Sequence, residues 1–166
     1  MSEIFKQTTD RAVAAREAGV TWTIRAWSEL DCEALYAILA ARSAVFVVEQ
    51  DCPYQDLDGL DRHGIHLLAT ASDGSALAYA RLLPAGLRFK EPSIGRVLTT
   101  DLARGQGLGR RLMQRCLDEA RQRYPGQSIR ISAQQYLERF YQNLGFVTVS
   151  EPYDEDGIAH IEMLAT

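Results

Sequence analysis

Three glycines separated by single residues precede a helical pattern in the middle of the chain: Gly105, Gly107 and Gly109. Glycine lets a phosphate approach the backbone closely and tolerates positive φ angles. A helix that begins in such a loop presents free backbone N–H groups and the positive end of its dipole. Arg104 and Arg110 flank the glycines, although cations are mildly unfavourable at a helix N-terminus unless an anion lies there. The stretch predicts a phosphate site, and spacing alone leaves a glycine-rich turn with solvated arginines as the alternative.

The residues around the glycines predict a strand, a loop and a helix. Residues 94–99 are aliphatic and β-branched, as in a strand, and residues 108–120 repeat apolar side chains at helical spacing. No G-K-[ST] follows the glycines, which argues against a Walker A nucleotide site. The G-x-G-x-G order also differs from the Rossmann fingerprint. A different phosphate-binding loop is therefore expected.

A second unusual stretch combines an apolar run with acidic residues. The run V-F-V-V at residues 45–48 leads into a loop with aspartates at positions 51, 56, 58 and 61. One interpretation is the buried end of a helix followed by a solvated acidic loop. The other is a cleft whose carboxylates attract a cationic amine.

These two stretches carry a family resemblance. Residues 104–109, R-G-Q-G-L-G, match the coenzyme A pyrophosphate loop of the GCN5-related N-acetyltransferases (GNAT), [QR]-x-x-G-x-[GA]. R-x-x-V-F-V-x-E-Q at 42–50 and C-P-Y-x-D-x-D at 52–58 resemble the ElaA-type branch of that family. F-Y-x-x-L-G-F at 140–146 and G-I-x-H-x-x-M at 157–163 extend the resemblance to most of residues 22–163.

The resemblance implies an α/β class and the GNAT acyl-CoA N-acyltransferase fold. Its sheet is mixed and mostly antiparallel, its central strands separate near Thr99 and Ala133, and helices cover both faces. Residues 21–166 would form this domain, after an N-terminal arm, residues 1–20, that forms a short helix or remains loose. Other strands are predicted at 21–26, 65–71, 76–83, 128–133, 146–149 and 159–164. Helices are predicted after Ser28 and Asp31 to about Phe46, and over 134–144.

The resemblance also assigns a cofactor, acetyl-CoA, with no metal. The residues that it places on coenzyme A are Val97, Leu98, Thr99, Arg104, Gly105, Gln106, Gly107, Leu108, Gly109, Arg110, Gln134 and Phe140. A backbone N–H near Leu98 or Thr99 would polarise the thioester carbonyl. Tyr141 falls on the family's tyrosine and would donate a proton to the departing thiolate.

The acceptor side follows from motif position alone. The residues expected there are Arg42, Phe46, Glu49, Gln50, Tyr54, His66 and His160. Many relatives carry a catalytic glutamate on the fourth strand, where this chain has Gly95 and Arg96. The general base therefore stays open between Glu49, His66, His160 and no protein base at all. Glu49 is predicted either to meet the acceptor amine or to pair structurally with Arg42.

The function implied is acetyl transfer from acetyl-CoA to a primary amine by direct attack on the thioester. The acceptor is a small molecule or a peptide: a polyamine, an amino sugar, a peptide N-terminus or a lysine side chain. Two alternatives are an acyl-homoserine-lactone synthase-like acyltransferase and an acyl-CoA sensor that has lost turnover.

Composition narrows the partners. The chain has 166 residues, which suits a single domain. Its net charge of −4 argues against nucleic acid as the main partner. No apolar run approaches the length of a membrane span. Its three cysteines lack C-x-x-C spacing, which favours the cytoplasm. A homodimer is left open.

Overall fold

The computed structural model describes residues 16–17 and 19–166. Most of the predicted N-terminal arm, residues 1–15 and 18, lies outside this part of the chain. Strand β1, Arg16–Glu17, pairs antiparallel with β2, Val20–Ala26. Arg16 and Glu17, near the end of the predicted arm, therefore form part of the sheet.

One sheet contains all nine strands of the described residues. After β1 and β2 these are β3 Ile65–Thr70, β4 Ala76–Leu83, β5 Ser93–Thr99, β6 Ile129–Gln134, β7 Val147–Thr148, β8 Tyr153–Glu155 and β9 Ile158–Ala165. Their order is β1-β2-β3-β4-β5-β6-β9-β7, with β8 also paired to β9. Every pair is antiparallel except β5 with β6. The predicted mixed, mostly antiparallel sheet is confirmed.

Three α-helices accompany the sheet in the described residues: α1 Cys32–Arg42, α2 Leu108–Arg123 and α3 Glu138–Gln142. Asp31 caps α1, since its side chain accepts a hydrogen bond from the Ala34 N–H at 2.7 Å. The chain then continues as a π-helical segment, Ser43–Glu49, beyond the predicted end of the helix. Helix α3 is shorter than predicted, because a 3-10 turn, Gln135–Leu137, replaces its first turn.

The helices cover opposite faces of the sheet. Apolar side chains of α2, among them Leu112 and Cys116, are buried in the larger core with residues of β3, β4 and β6. On the other face, Ile38 and Ala41 of α1 pack in a smaller core with Leu98. Helices on both faces are therefore confirmed. Within residues 16–17 and 19–166, no helix has the length and apolar character that crossing a membrane requires.

The two central strands separate after their first contact. The parallel pairing of β5 with β6 is confined to Ser93 opposite Arg130. Further along, Val97 of β5 and Ala133 of β6 line a cavity between the strands. The predicted separation of the central strands is confirmed, and it opens a passage through the middle of the sheet.

A β-bulge interrupts β5 beside this cavity. Arg81 pairs with Gly95 and Tyr79 pairs with Leu98, so two residues of β5 lie opposite one residue of β4. Arg96, within the bulge, has a φ of +54°. Because side chains alternate along a strand, one extra residue reverses the faces of all that follow. Accordingly, Val97 packs on the larger core and Leu98 enters the smaller one.

Candidate active site

The glycine loop has the backbone that the predicted anion site requires. Gly105 and Gly107 have φ angles of +74° and +72°, and Gly107 caps the N-terminus of α2. A Cβ built on either glycine meets no atom within 4 Å. The left-handed conformation, and not crowding by the protein, therefore favours glycine at both positions. Space for a ligand remains open above the first turn of α2.

Arg104 at the start of this loop is held by carboxylates. Its Nη1 lies 2.7 Å from Oε1 of Glu49, and its Nη2 donates to Oε2 of Glu49 at 2.8 Å. It also pairs with Asp101 and donates to the Thr99 carbonyl at 3.2 Å. Glu49 thus lies beside the loop predicted to bind the cofactor, and the alternative pairing of Glu49 with Arg42 is not formed. The π-helical segment is thereby tied to the glycine loop.

The cavity between β5 and β6 brings together several predicted residues. Those that line it are Phe46, Gln50, Tyr54, Val97, Gln134, Tyr141 and His160. Gln134 donates to the Gln50 side chain at 3.4 Å. Leu98 is buried in the smaller core. The Cγ2 atom of Thr99 lies 3.6 Å from the position that a Cβ on Gly109 would occupy. The cavity thus combines residues assigned to the cofactor side with residues assigned to the acceptor side.

Tyr141 lines the cavity from α3. It is 6% exposed and lies edge-on to Phe140 and Phe146, with ring centroids 5.0 and 5.8 Å away. Burial raises the pKa of its phenol above the ordinary value. The phenol therefore stays protonated at neutral pH, although burial also makes it a weaker acid.

His160 of β9 is the candidate base that reaches the cavity. Its Nδ1 lies 2.8 Å from the Ile158 carbonyl oxygen. Because a carbonyl oxygen only accepts hydrogen bonds, the proton of the neutral ring lies on Nδ1. Nε2 then carries the lone pair. This tautomer can accept a proton through Nε2.

His66 does not line the cavity, contrary to its predicted place on the acceptor side. It is buried, with Nδ1 2.8 Å from the Tyr79 hydroxyl and Nε2 2.9 Å from the Asp61 carbonyl. Burial lowers the pKa of its imidazole, which favours the neutral ring. Nε2 must donate to the carbonyl, so Nδ1 accepts from the tyrosine. Both nitrogens have structural partners.

Arg42 also leaves the acceptor side, because it belongs to an arginine–aspartate cluster. This cluster consists of Arg42, Arg81, Arg96, Asp56, Asp58 and Asp61. Arg42 is fully buried and donates to Asp56 at 2.8 Å and to Asp61 at 2.7 Å. Arg81 donates to both oxygens of Asp58, at 2.7 and 2.6 Å, and to Asp61 at 2.7 Å.

The arginine–aspartate cluster shows an arrangement of the acidic loop that differs from both interpretations. Asp56, Asp58 and Asp61 are neither solvated unpaired charges nor free to bind a substrate amine. Arginines of α1, β4 and β5 neutralise them. These arginines are separated from the loop by 14 to 40 positions in sequence. Such distant pairing leaves no local signal, so sequence reasoning could not find it.

Sequence reasoning also missed a polar network at the cavity. Ser132 of β6 lies 2.6 Å from the Tyr153 hydroxyl and donates to Glu155 at 3.1 Å. Arg88 pairs with Glu155 at 3.0 Å. Burial works to raise the pKa of Glu155, but Arg88 holds it below the ordinary value. The short strand β8, which carries two of these residues, has no sequence pattern long enough to predict it.

Sequence comparisons identify a family and named relatives. The family described as "Acetyltransferase (GNAT) domain" matches residues 34–166. Protein ElaA of Escherichia coli is 42% identical over 146 residues, which cover 87% of this chain and 95% of ElaA. A UPF0039 protein of Synechocystis is 43% identical over 145 residues, covering 87% of this chain and 94% of that protein.

Solved structures give the same result. The crystal structure of an acyl-CoA N-acyltransferase from Pseudomonas aeruginosa matches with a TM-score of 0.84 and 44% identity, over 89% of this chain and 99% of that one. The crystal structure of Escherichia coli ElaA matches with a TM-score of 0.83 and 40% identity, over the same shares of the two chains. Sequence and structure therefore point to the same relatives.

Asp61 allows the cluster's contribution to stability to be measured. Burial alone would raise the pKa of Asp61, but Arg42 and Arg81 hold it below its ordinary value of 3.8. We expect Asp61→Asn to lower the free energy of unfolding at pH 7 by on the order of 2–3 kcal/mol, because two buried arginines lose a charged partner. The measurement is urea denaturation, with the exposed Asp51→Asn as the matched control.

The pH dependence of this difference has a defined sign. A carboxyl group whose pKa folding depresses stabilises the protein above its unfolded pKa and loses that contribution as pH falls through the folded value. The difference between wild type and Asp61→Asn should therefore be full at pH 7 and shrink below about pH 4. A difference that stays constant down to pH 3 would contradict the assignment.

Glu49 provides a test of the cofactor side. In the Glu49→Gln variant, Arg104 loses a carboxylate partner. That carboxylate competes with an anionic ligand for the guanidinium and also repels the ligand. Because an exposed ion pair contributes at most about 1 kcal/mol, we expect coenzyme A to bind up to about fivefold more tightly. The acceptor KM should stay unchanged. Calorimetry measures the coenzyme A affinity and steady-state kinetics the acceptor KM, with Glu33→Gln on α1 as the control. A raised acceptor KM with unchanged coenzyme A affinity would assign Glu49 to the acceptor side.

Proposed function

Because the chain belongs to the GCN5-related N-acetyltransferase family and is an acyltransferase, we propose that it transfers an acetyl group from acetyl-CoA to a primary amine. The observation that carries this proposal is a glycine loop at the N-terminus of α2 beside a cavity through the sheet that a buried tyrosine lines. The loop follows β5, whose residues line the cavity, and precedes α2. A long, anionic acyl carrier with a reactive end fits this arrangement.

The residues present fit coenzyme A. Gly105 and Gly107 leave open space at backbone N–H groups of a helix N-terminus, where a pyrophosphate binds without a metal. Arg110 adds positive charge beside it, whereas Glu49 and Asp101 offset the charge of Arg104. Val97 and Gln134 line the gap that would receive the pantetheine arm. When bound, acetyl-CoA supplies an activated thioester carbonyl.

A cationic amine must lose two protons, one before the attack and one from its nitrogen after it, and the departing sulfur must gain one. The amine nitrogen bonds to the thioester carbon, the carbon–sulfur bond breaks, and the electron pair leaves with sulfur. Tyr141, which lines the cavity and is protonated at neutral pH, donates its phenolic proton to that thiolate. His160 accepts one of the amine's protons through Nε2, because the Ile158 carbonyl oxygen holds the proton of the neutral ring on Nδ1, and solvent takes the other. Each group then regains its state by exchange with solvent.

The acceptor side is proposed to be the part of the cavity around Phe46, Gln50, Tyr54 and His160, all of which line it. Glu155 lies in the same lining, where Arg88 pairs with it and offsets its charge. We infer an acceptor of small-molecule or peptide type, among polyamines, amino sugars, peptide N-termini and lysine side chains.

An amine-panel assay tests the proposed function. Wild-type protein with acetyl-CoA should release free thiol only when an accepted amine is present. The Gly107→Val variant should lose coenzyme A affinity by calorimetry, because a β-branched side chain is strained at this φ and intrudes on the anion site. Gly126→Val is the matched control, since Gly126 has a φ of +75° at the other end of α2.

Three outcomes would contradict the proposal. Unchanged coenzyme A affinity in Gly107→Val would remove the glycine loop from the site. Binding of acyl-CoA without transfer to any amine would favour a sensor. Transfer that requires S-adenosylmethionine as the acceptor would favour an acyl-homoserine-lactone synthase-like reaction.

The acid and the base can be tested as a pair. Tyr141→Phe and His160→Gln should each lower turnover by about 10²–10⁴-fold, because each removes one proton-transfer group. Coenzyme A affinity should hold in both. The controls are Tyr36→Phe and His63→Gln, two exposed residues outside the cavity. Wild-type turnover in Tyr141→Phe would show that the phenol only packs in the core. Wild-type turnover in His160→Gln would show that no histidine base is used.

A further inference from the structure

Arg96 has a backbone conformation that its residue type disfavours. Its φ is +54° in the middle of β5, a region where a side chain beyond Cβ is strained and glycine is preferred. Such a residue persists only where its surroundings hold it in place. The neighbouring Gly95 has open space around a built Cβ, yet the positive φ falls on the arginine. The side chain of Arg96 therefore needs an explanation.

The loop that precedes β3 contacts this side chain from several directions. Nη2 of Arg96 donates to the Asp56 carbonyl at 2.9 Å and to Oδ2 of Asp58 at 3.3 Å. Nε lies 2.7 Å from Oδ1 of Asp56, an ion pair without the angle of a hydrogen bond. The guanidinium also lies over the ring of Tyr54, 5.9 Å from its centroid. Its side chain is only 15% exposed.

These partners are themselves fixed. Arg42 of α1 binds both the carboxylate and the carbonyl of Asp56, at 2.8 and 3.0 Å. Arg81 of β4 binds both oxygens of Asp58. Since α1 and β4 belong to the packed body of the protein, the loop is a rigid support and not a mobile arm. Arg96 is anchored through it to two elements other than its own strand.

The bulge that contains Arg96 determines what β5 presents to the cavity. With strict alternation, Leu98 would share the face of Ile94. The extra residue instead places Val97 with Ile94 on the larger core and Leu98 in the smaller one. Val97 then lines the cavity, and Thr99 lies beneath Gly109 of the first turn of α2.

We propose that Arg96 is a positioning residue for the acyl transfer: through Asp56 and Asp58 it holds the bulge of β5, and with it the backbone of residues 97–99, against the cavity. The proposal rests on the proposed function, because that backbone is the part of β5 expected to meet the thioester. Arg96 acts through the conformation of the chain and transfers no proton.

Glycine and alanine at this position separate a conformational role from a charge role. Both substitutions remove the guanidinium and its ion pairs. Glycine adopts a positive φ without strain, whereas alanine does not once the side-chain anchor is lost. We expect Arg96→Ala to lower kcat by about tenfold or more, and Arg96→Gly to stay within about threefold of wild type. Asp51→Ala is the matched control, since Asp51 also has a positive φ, +49°, but does not line the cavity.

A second readout is independent of activity. Amide hydrogen exchange of residues 97–99, measured by NMR, should speed up in Arg96→Ala and stay close to wild type in Arg96→Gly. If the ion pairs of Arg96 were merely structural, their loss would lower the melting temperature of both variants alike. The two variants would then show no difference in hydrogen exchange. Wild-type kcat in Arg96→Ala, or equal loss of kcat in both variants, would overturn the proposal.

The two proposals fail in different ways. If wild-type protein acetylates no amine in the panel, the proposed function fails, and hydrogen exchange still shows whether Arg96 holds the bulge. If the wild type is active and the alanine variant equals it in kcat and exchange, only the role of Arg96 fails.

Discussion

Two guanidinium groups are almost completely withdrawn from water in this protein, and this burial constrains everything around the cavity. Arg42 and Arg81 are 0% and 1% exposed. An unpaired charge in such a place would cost several kcal/mol, so the loop that carries Asp56, Asp58 and Asp61 must lie against α1 and β4. The position of that loop, and of Tyr54 within it, follows from charge pairing more than from apolar packing.

The separation of β5 from β6 lies next to the same region. A sheet normally closes its hydrogen-bond ladder, and here the ladder of the parallel pair stops after Ser93 and Arg130. The bulge at Arg96 alters the course of β5, while β6 remains paired with β9 along its length. The cavity is thus built from backbone that secondary structure leaves unpaired between two strands. Such backbone is available to a ligand that carries its own amides and carbonyls.

A surface ion pair connects the glycine loop with the π-helical segment beside the cavity. The π-helical segment carries Phe46, which lines the cavity, and Glu49, which binds Arg104. Both groups of that pair are about 41% exposed, so the contact is modest in energy and easily exchanged for an anionic ligand. Its position links the proposed acceptor side to the start of the proposed cofactor loop.

The amino-acid sequence was enough to predict the parts that depend on neighbours along the chain. Hydrophobic periodicity predicted β5 and α2, and the glycines between them predicted a phosphate site, because both signals arise within a few residues. The partners of Arg42, His66 and the acidic loop became visible only in the folded protein. Pairing between charges far apart in sequence has no local pattern, and neither does the bulge at Arg96, where a strained φ depends on partners that folding brings to it.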